Sequence, residues 1–151
     1  MPHMYSFRKA IEEDIQAINI ISIQSKAYWG YPDAWLERWK DDLTISKPEI
    51  NELEILIIQK DNVPIGFSAL FEDEQNYEIR HLWLKPDYIG KGLGKQLLHE
   101  TIKEIVRKEK PIFVEADPNA EAFYERMGFK TIGFVESYPK GRFLPIMKKQ
   151  K

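Results

Sequence analysis

The stretch DYIGKGLGKQLLHE, residues 87–100, sets Gly90, Gly92 and Gly94 at alternate positions, with Lys91 and Lys95 beside them and an amphipathic run directly after. A helix opened by glycines leaves its first amides free at the positive end of the helix dipole and lets another molecule approach the backbone. The chemistry on offer is anion binding, best matched by a phosphate or pyrophosphate. A tight strand-to-helix turn accounts for one glycine through its need for positive φ, but not for three in five positions. Two common phosphate motifs fail on spacing. The glycines run G-x-G-x-G rather than G-x-G-x-x-G, and Gly94-Lys95 is followed by Gln96 where a P-loop needs Ser or Thr, with Ile89 at its first glycine.

Other chemistry is narrowed by what the chain holds. Without cysteine there is no disulfide, no thiolate metal site and no cysteinyl acyl-enzyme. His3, His81 and His99 are too scattered for a zinc constellation, so no metal is expected. A net charge of -2 speaks against a nucleic-acid partner. No apolar run nears membrane-spanning length and no signal-peptide pattern opens the chain, so no membrane partner and a cytoplasmic location are expected. Whether Met1-Pro2-His3, ahead of Met4, is native stays open.

The elements that must position the loop are legible as patterns. Tyr5–Lys9 reads as a short strand, and Ile11, Ile15 and Ile18 recur at helical spacing behind an acidic first turn. After Gly30 and Pro32, DAWLERWKDDL reads as a second helix capped by Asp33, with Leu36, Trp39 and Leu43 on one face. LEILIIQK and VPIGFSALFE are strands joined at Asp61-Asn62, a hairpin signal, and NYEIRHLWLK is a third. Leu93, Leu97, Leu98, Ile102, Ile105 and Val106 stripe a long helix ahead of Pro111. IFVEA is a short buried strand, and NAEAFYERM a short helix closed by Gly128. FKTIGFVESY and RFLPIMKK are two last strands around a turn at residues 139–141. No repeat or linker divides residues 1–151, so one mixed α/β domain with one central sheet is expected.

Two of these segments resemble a known family. LWLKPDYIGKGLGKQLL, residues 82–98, is similar to the signature loop of the GNAT superfamily of acyl-CoA-dependent N-acyltransferases. Its pattern R/Q-x-x-G-x-G/A falls on residues 89–94, with Ile89 where arginine or glutamine is usual and one side-chain donor therefore missing. NAEAFYERMGF, residues 119–129, approximates a second family segment through Asn119, Ala122, Phe123-Tyr124 and Gly128-Phe129, and FRKAIEEDIQAI is similar to the usual opening. The resemblance covers the whole chain. It implies a GNAT-like fold, a mostly antiparallel sheet of six or seven strands flanked by about four helices.

The resemblance also implies a cofactor, acetyl-CoA, and roles. The pyrophosphate would lie on the loop from Ile89 through Gly90, Lys91, Gly92, Leu93 and Gly94 to Lys95. The pantetheine arm would run along Leu82, Trp83 and Leu84, near Asn119, Ala122 and Phe123, with a bulge at Leu82–Leu84 polarising the thioester carbonyl. Tyr124 falls at the position of the general acid that protonates the departing thiolate. Phe123 and Tyr124 cannot both face one way, and Tyr124 is placed toward the cleft. Glu78 falls where many members carry a base; His81, whose ordinary pKa is nearer neutrality, or a water are the alternatives. Strand alternation puts Glu78 with Arg80 on one face and His81 with Ile79 and Trp83 on the other, unless a bulge shifts the phase.

An acceptor pocket is expected from AYWGYPDAW and ESYPKGRF, with Tyr28, Trp29, Tyr31, Tyr138 and Arg142 as candidates; Glu136 would attract a cationic amine and Arg142 would suit a substrate carboxylate, and the sequence does not choose between them. The expected activity is N-acetyl transfer to the amine of a small molecule or peptide, by direct attack in a ternary complex, in a monomer or homodimer. A catalytically silent acyl-CoA-binding or sensing module, and a nucleotide-binding α/β protein, are the rivals.

Overall fold

The computed structural model describes residues 5–151; the open question over residues 1–3, and His3 with it, lies outside the described residues. The chain runs β1 (Tyr5–Lys9), α1 (Ile15–Ala27), α2 (Asp33–Leu43), β2 (Glu54–Lys60), β3 (Val63–Glu72), β4 (Tyr77–Leu84), α3 (Leu93–Ile105), β5 (Ile112–Glu115), α4 (Glu121–Arg126), β6 (Phe129–Ser137) and β7 (Arg142–Lys149). One seven-stranded sheet takes the order β1-β2-β3-β4-β5-β7-β6, antiparallel throughout except where β4 meets β5. The mixed sheet and its four helices are those expected. Among the described residues no helix is long and apolar enough to cross a membrane.

Alternation along β2 explains the layering. Ile55 and Ile57 pack with Ile18 and Ile21 of α1, whereas Leu56 and Ile58 pack with Leu98 and Leu97 of α3 on the opposite face. Both faces of the central strands are covered, so β2 reads as an unbroken apolar run. Asp61 and Asn62 at φ 51° and 69° form the tight β2–β3 turn that their residue types favour. Two helix starts differ from expectation. Asp33 is the first residue of α2 and makes no capping bond. Glu12–Asp14 form a separate 3-10 turn, in which the Asp14 carboxylate accepts from the Ile11 amide at 2.8 Å and from both Arg8 terminal nitrogens at 2.7 and 2.8 Å.

Two irregularities of β4 set up the site. β4 pairs with β5 only over Tyr77–Ile79, so its edge beyond Ile79 has no strand partner on that side. The register with β3 slips as well: Leu70 faces Ile79 and Ala69 faces His81, which leaves Arg80 as a bulge residue. The bulge thus sits about two residues earlier than the expected Leu82–Leu84. It flips the side-chain phase. Ile79 packs with Leu98 beneath α3, while His81 stacks on Phe67, whose cluster lies beneath α1. Glu78 and His81 therefore share a sheet face that regular alternation would have denied them.

Candidate active site

The unpaired edge of β4 opens one side of a cleft of about 630 Å³ lined by Leu82, Trp83, Leu84, the glycine loop and the first turns of α4. Gly90 and Gly92 stand at φ +83° and +80°, and Gly92 directly precedes α3 with no side-chain cap. Side chains other than glycine adopt that backbone only with strain, which is why two of the three glycines are needed. The third has no such need: a Cβ on Gly94 would meet the Phe123 ring at 3.4 Å and Leu84 at 3.8 Å, ordinary van der Waals contact where α3 and α4 pack on the strand. Among the described residues, no loop or side-chain acceptor takes the amides of residues 90–95. With Gly90, Gly92, Gly94 and Lys95 lining the cleft, these amides leave an unspent row of donors at its wall.

These features fit coenzyme A: free amides for a pyrophosphate, then an open strand edge and apolar walls for an extended amide-bearing arm. Ile89, Lys95, Asn119 and Ala122 line the cleft as expected. Leu93 is buried beneath the loop against Ile58 and Ile65 and offers only its backbone, and Lys91 is exposed outside the cleft beside the Tyr88 ring. Phe123 and Tyr124 both line the cleft, contrary to the expected division. Tyr124 is packed edge-to-face against Phe123 and Phe129, and burial pushes its phenol above the ordinary range. Among the described residues its hydroxyl has no hydrogen-bond partner, and it is not sealed from solvent, which leaves it a protonated donor at the wall of the cleft.

A second cleft, of about 400 Å³, is lined by the preceding stretch of β4, Glu78 to Arg80. Its lining includes Asp42 and Trp39 of α2, Glu78 and Arg80 of β4, Glu115 of β5, Glu136 of β6, and Lys26 and Arg142. Glu78, half-exposed, pairs with Arg80. His81 lines neither cleft: it is buried, its Nδ1 accepts from Trp83 Nε1 at 3.0 Å, and burial pushes its pKa down to about 4. Tyr28 and Tyr138 are 52% and 40% exposed and line neither cleft either. Trp29 lines the first cleft rather than the second, and Arg142 lines the second.

Between the clefts sits a hydrogen-bonded cluster around Asp117, with Lys26 buried and Asp117, Tyr31 and Arg142 partly buried. Its carboxylate accepts from Lys26, from the Tyr31 hydroxyl at 2.9 and 3.0 Å, from Arg142 at 3.2 Å and from the Asn119 amide at 2.8 Å. Asn119 Nδ2 and Arg142 also donate to the Tyr31 oxygen, at 3.0 and 3.1 Å. Lys26 and Arg142 lie 4.7 and 4.6 Å from the Trp39 ring. Burial alone would raise the Asp117 pKa, but Lys26 and the hydrogen bonds from Lys26, Asn119 and Tyr31 hold it below the ordinary carboxylate value. Desolvation lowers the Lys26 pKa despite Asp117, and Arg142 pushes the same way. Sequence reasoning named Tyr31 and Arg142 but missed Lys26, Trp39, Asp42 and Glu115. Lys26 in particular reads as an ordinary solvated lysine near a helix end.

Comparison with known proteins agrees with this geometry. Residues 31–150 match the family described as acetyltransferase (GNAT) domain. Among solved structures, the PaiA N-acetyltransferase of Thermoplasma acidophilum in complex with coenzyme A is 26% identical with a TM-score of 0.80, covering 98% of this chain and 99% of its own. A spermidine N(1)-acetyltransferase of the same organism is 30% identical over 139 residues, 82% of this chain and 86% of that protein. The uncharacterized N-acetyltransferase YafP of Escherichia coli is 30% identical over 74% of this chain. The chain spans only 63% of the length of YafP and 46% of the ycf52 acetyltransferase of Porphyra purpurea. By the residues matched and the fold shared, the chain belongs to the GNAT acetyltransferase family, whose cofactor is acetyl-CoA.

Proposed function

We propose that the protein is an N-acetyltransferase that moves the acetyl group of acetyl-CoA to a primary amine carried on a cationic acceptor, both held at once. The observation that carries this reading is a pair of clefts lined by consecutive stretches of β4, Glu78 to Arg80 and Leu82 to Leu84, where β4 leaves β5. Bound acetyl-CoA would supply an acyl group activated as a thioester. The amides of residues 90–95 hold its pyrophosphate, the free edge of β4 from Arg80 to Leu84 orders the arm, and the backbone at that edge polarises the carbonyl. Glu78, in the acceptor cleft, takes the proton of the attacking amine directly or through a water. As the nitrogen–carbon bond forms and the carbon–sulfur bond breaks, the Tyr124 hydroxyl gives its proton to the departing sulfur. With no cysteine to carry the acyl group, transfer is direct.

The acceptor's charge is read from the second cleft. Of its cations, Arg80 is paired with Glu78, and Lys26 and Arg142 with Asp117. Asp42, Glu115 and Glu136 have no cationic partner among the described residues, so the rim attracts positive charge. The spermidine-acetylating relative supports the same class of acceptor.

Thermal unfolding with acetyl-CoA, coenzyme A, NAD and ATP tests the cofactor. A ligand present at about 100 times its Kd adds roughly 2.7 kcal/mol of stability. Stabilisation confined to the two coenzyme A species, followed by thiol release with spermidine, is the expected result. Binding without turnover of any amine in a panel would leave a sensing module. A response to NAD or ATP alone would end the acetyltransferase reading.

A further inference from the structure

Resting on the function just proposed, the cluster between the clefts raises a question that the transfer chemistry leaves unanswered. An acceptor amine enters as an ammonium and must react as a neutral amine. The charges around the second cleft are not evenly spread. Its rim carries the three unpaired carboxylates Asp42, Glu115 and Glu136. Its floor carries two cations, Lys26, buried with its side chain 9% exposed, and partly buried Arg142, 12% exposed, both tied to one carboxylate, Asp117, which lines the cofactor cleft instead. The floor is therefore one positive charge in excess. Water screens the rim, whereas the floor lies in a poorly polarisable setting between Trp39, Tyr31 and Trp83.

We infer that Lys26 and Arg142 act on the acceptor itself: the rim carboxylates hold its distant ammonium groups, while the excess positive charge of the floor drives the proton off the amine that reaches the thioester. A like charge in a desolvated site disfavours the ionised form of its neighbour. At an effective dielectric of about 20, one unit cation roughly 7 Å away moves an ammonium titration down by about one to two pH units. The same field is visible on the chain: Lys26 is itself lowered, by desolvation first and by Arg142 besides. Every charged group around the cleft enters the balance: Lys26 from α1, Asp42 from α2, Glu78 and Arg80 from β4, Glu115 from β5, Asp117 ahead of α4, Glu136 from β6 and Arg142 from β7. Glu78 and Arg80 cancel as a pair, and His81 behind them is neutral near pH 7. Glu78 then receives a proton already loosened by the floor.

Two substitutions of opposite sign test this. Lys26→Met removes one floor cation, and Asp117→Asn removes the carboxylate that both floor cations share. With spermidine as the acceptor probe and both substrates saturating, the acidic limb of kcat is followed from about pH 6 to about pH 10, since that limb reports groups in the loaded complex. The inference expects the limb to move up by about one pH unit in Lys26→Met and down by a similar amount in Asp117→Asn. Lys26→Arg keeps the charge and holds the limb in place.

A second readout needs no turnover. Calorimetry of spermidine binding to the coenzyme A-bound protein, at about pH 8 in two buffers of different ionisation enthalpy, counts protons released. A free primary ammonium keeps its proton there. Release is expected from the wild type, with less from Lys26→Met and more from Asp117→Asn. Limbs that stay put or move together, or equal proton release in all three proteins, would overturn the inference and leave the cluster a purely structural tie. If spermidine is not acetylated while acetyl-CoA still stabilises the fold, the cationic-acceptor reading falls and this inference falls with it.

Discussion

The two clefts are built from different materials. The cofactor cleft is made largely of backbone: amides of one loop, the open edge of one strand, and glycines that keep side chains out of the way. The acceptor cleft is made of side chains brought from α1, α2, β4, β5, β6 and β7. A cleft of backbone can keep one ligand while side chains around it vary. A cleft of side chains changes its ligand whenever one of them is exchanged. The difference assigns the constant part of the reaction to one region and the selective part to the other. The sharpest test lies at their junction. Tyr124→Phe removes a side-chain donor that lines the cofactor cleft without a hydrogen-bond partner among the described residues, and kcat should fall about 10²- to 10³-fold with acetyl-CoA binding unchanged. Steady-state kinetics beside equilibrium binding separates the two. A fall below about threefold would remove Tyr124 from the chemistry.

If the cofactor cleft is truly backbone-built, changing the backbone should cost more than changing its rim. Gly92→Val forces a β-branched residue to φ +80° at the head of α3, a strain of about 1–3 kcal/mol. Either the loop rearranges and acetyl-CoA binds about 10- to 100-fold more weakly, or the strain appears as lost stability. Lys95→Ala, by contrast, removes one charge at a water-exposed rim and should weaken binding by less than about fivefold. Titration calorimetry with both variants decides. Comparable losses would mean that side chains hold the cofactor after all.

In the acceptor cleft the ranking should reverse. Glu136→Gln leaves the backbone untouched and still offers an acceptor to the Gly141 amide, which the Glu136 carboxylate now binds at 2.8 Å. It removes one rim charge, so the KM for spermidine should rise about two- to fivefold while the KM for acetyl-CoA stays put. The rise should shrink with added salt, because the rim is screened by water.

This division also explains what the sequence discloses. A backbone-built site leaves a local signature, because the positive φ at residues 90 and 92 favours glycine, and both fall with Gly94 within five positions. The α3 stripe and the Asp61-Asn62 turn are local for the same reason, and their elements appear where expected. The acceptor cleft joins residues from Lys26 to Arg142, and no spacing records that meeting. Aromatic clustering drew attention to Tyr28 and Tyr138, which are exposed, while Trp39 looked like a core residue and proved to be both core and wall. The bulge at Arg80 carries no residue-type signal either. It arises where β4 must stay paired with β3 while leaving β5, and it alone decides which way His81 points.

That bulge supplies the smallest effect. The bulge turns His81 to the acceptor side of the sheet, yet packing against Phe67 and Trp83 keeps this group, whose ordinary pKa is near neutrality, out of the acceptor cleft. Its folded pKa, about 4, lies below the ordinary 6.5, so the unfolded chain binds the proton more tightly. Stability should therefore be full above about pH 6.5, decline as the pH falls toward 4, and lose roughly 3 kcal/mol from this group in all. Asp14 adds to the same decline at lower pH. Its carboxylate, held below the ordinary value chiefly by Arg8, loses its contribution as the pH drops through its folded pKa. Proton NMR of the His81 ring checks the central point, with a midpoint near pH 4 expected and no catalytic limb near 6.5 in the His81→Phe comparison. A midpoint near 6.5 would put the ring back in water, and with it the base that the geometry assigns to Glu78.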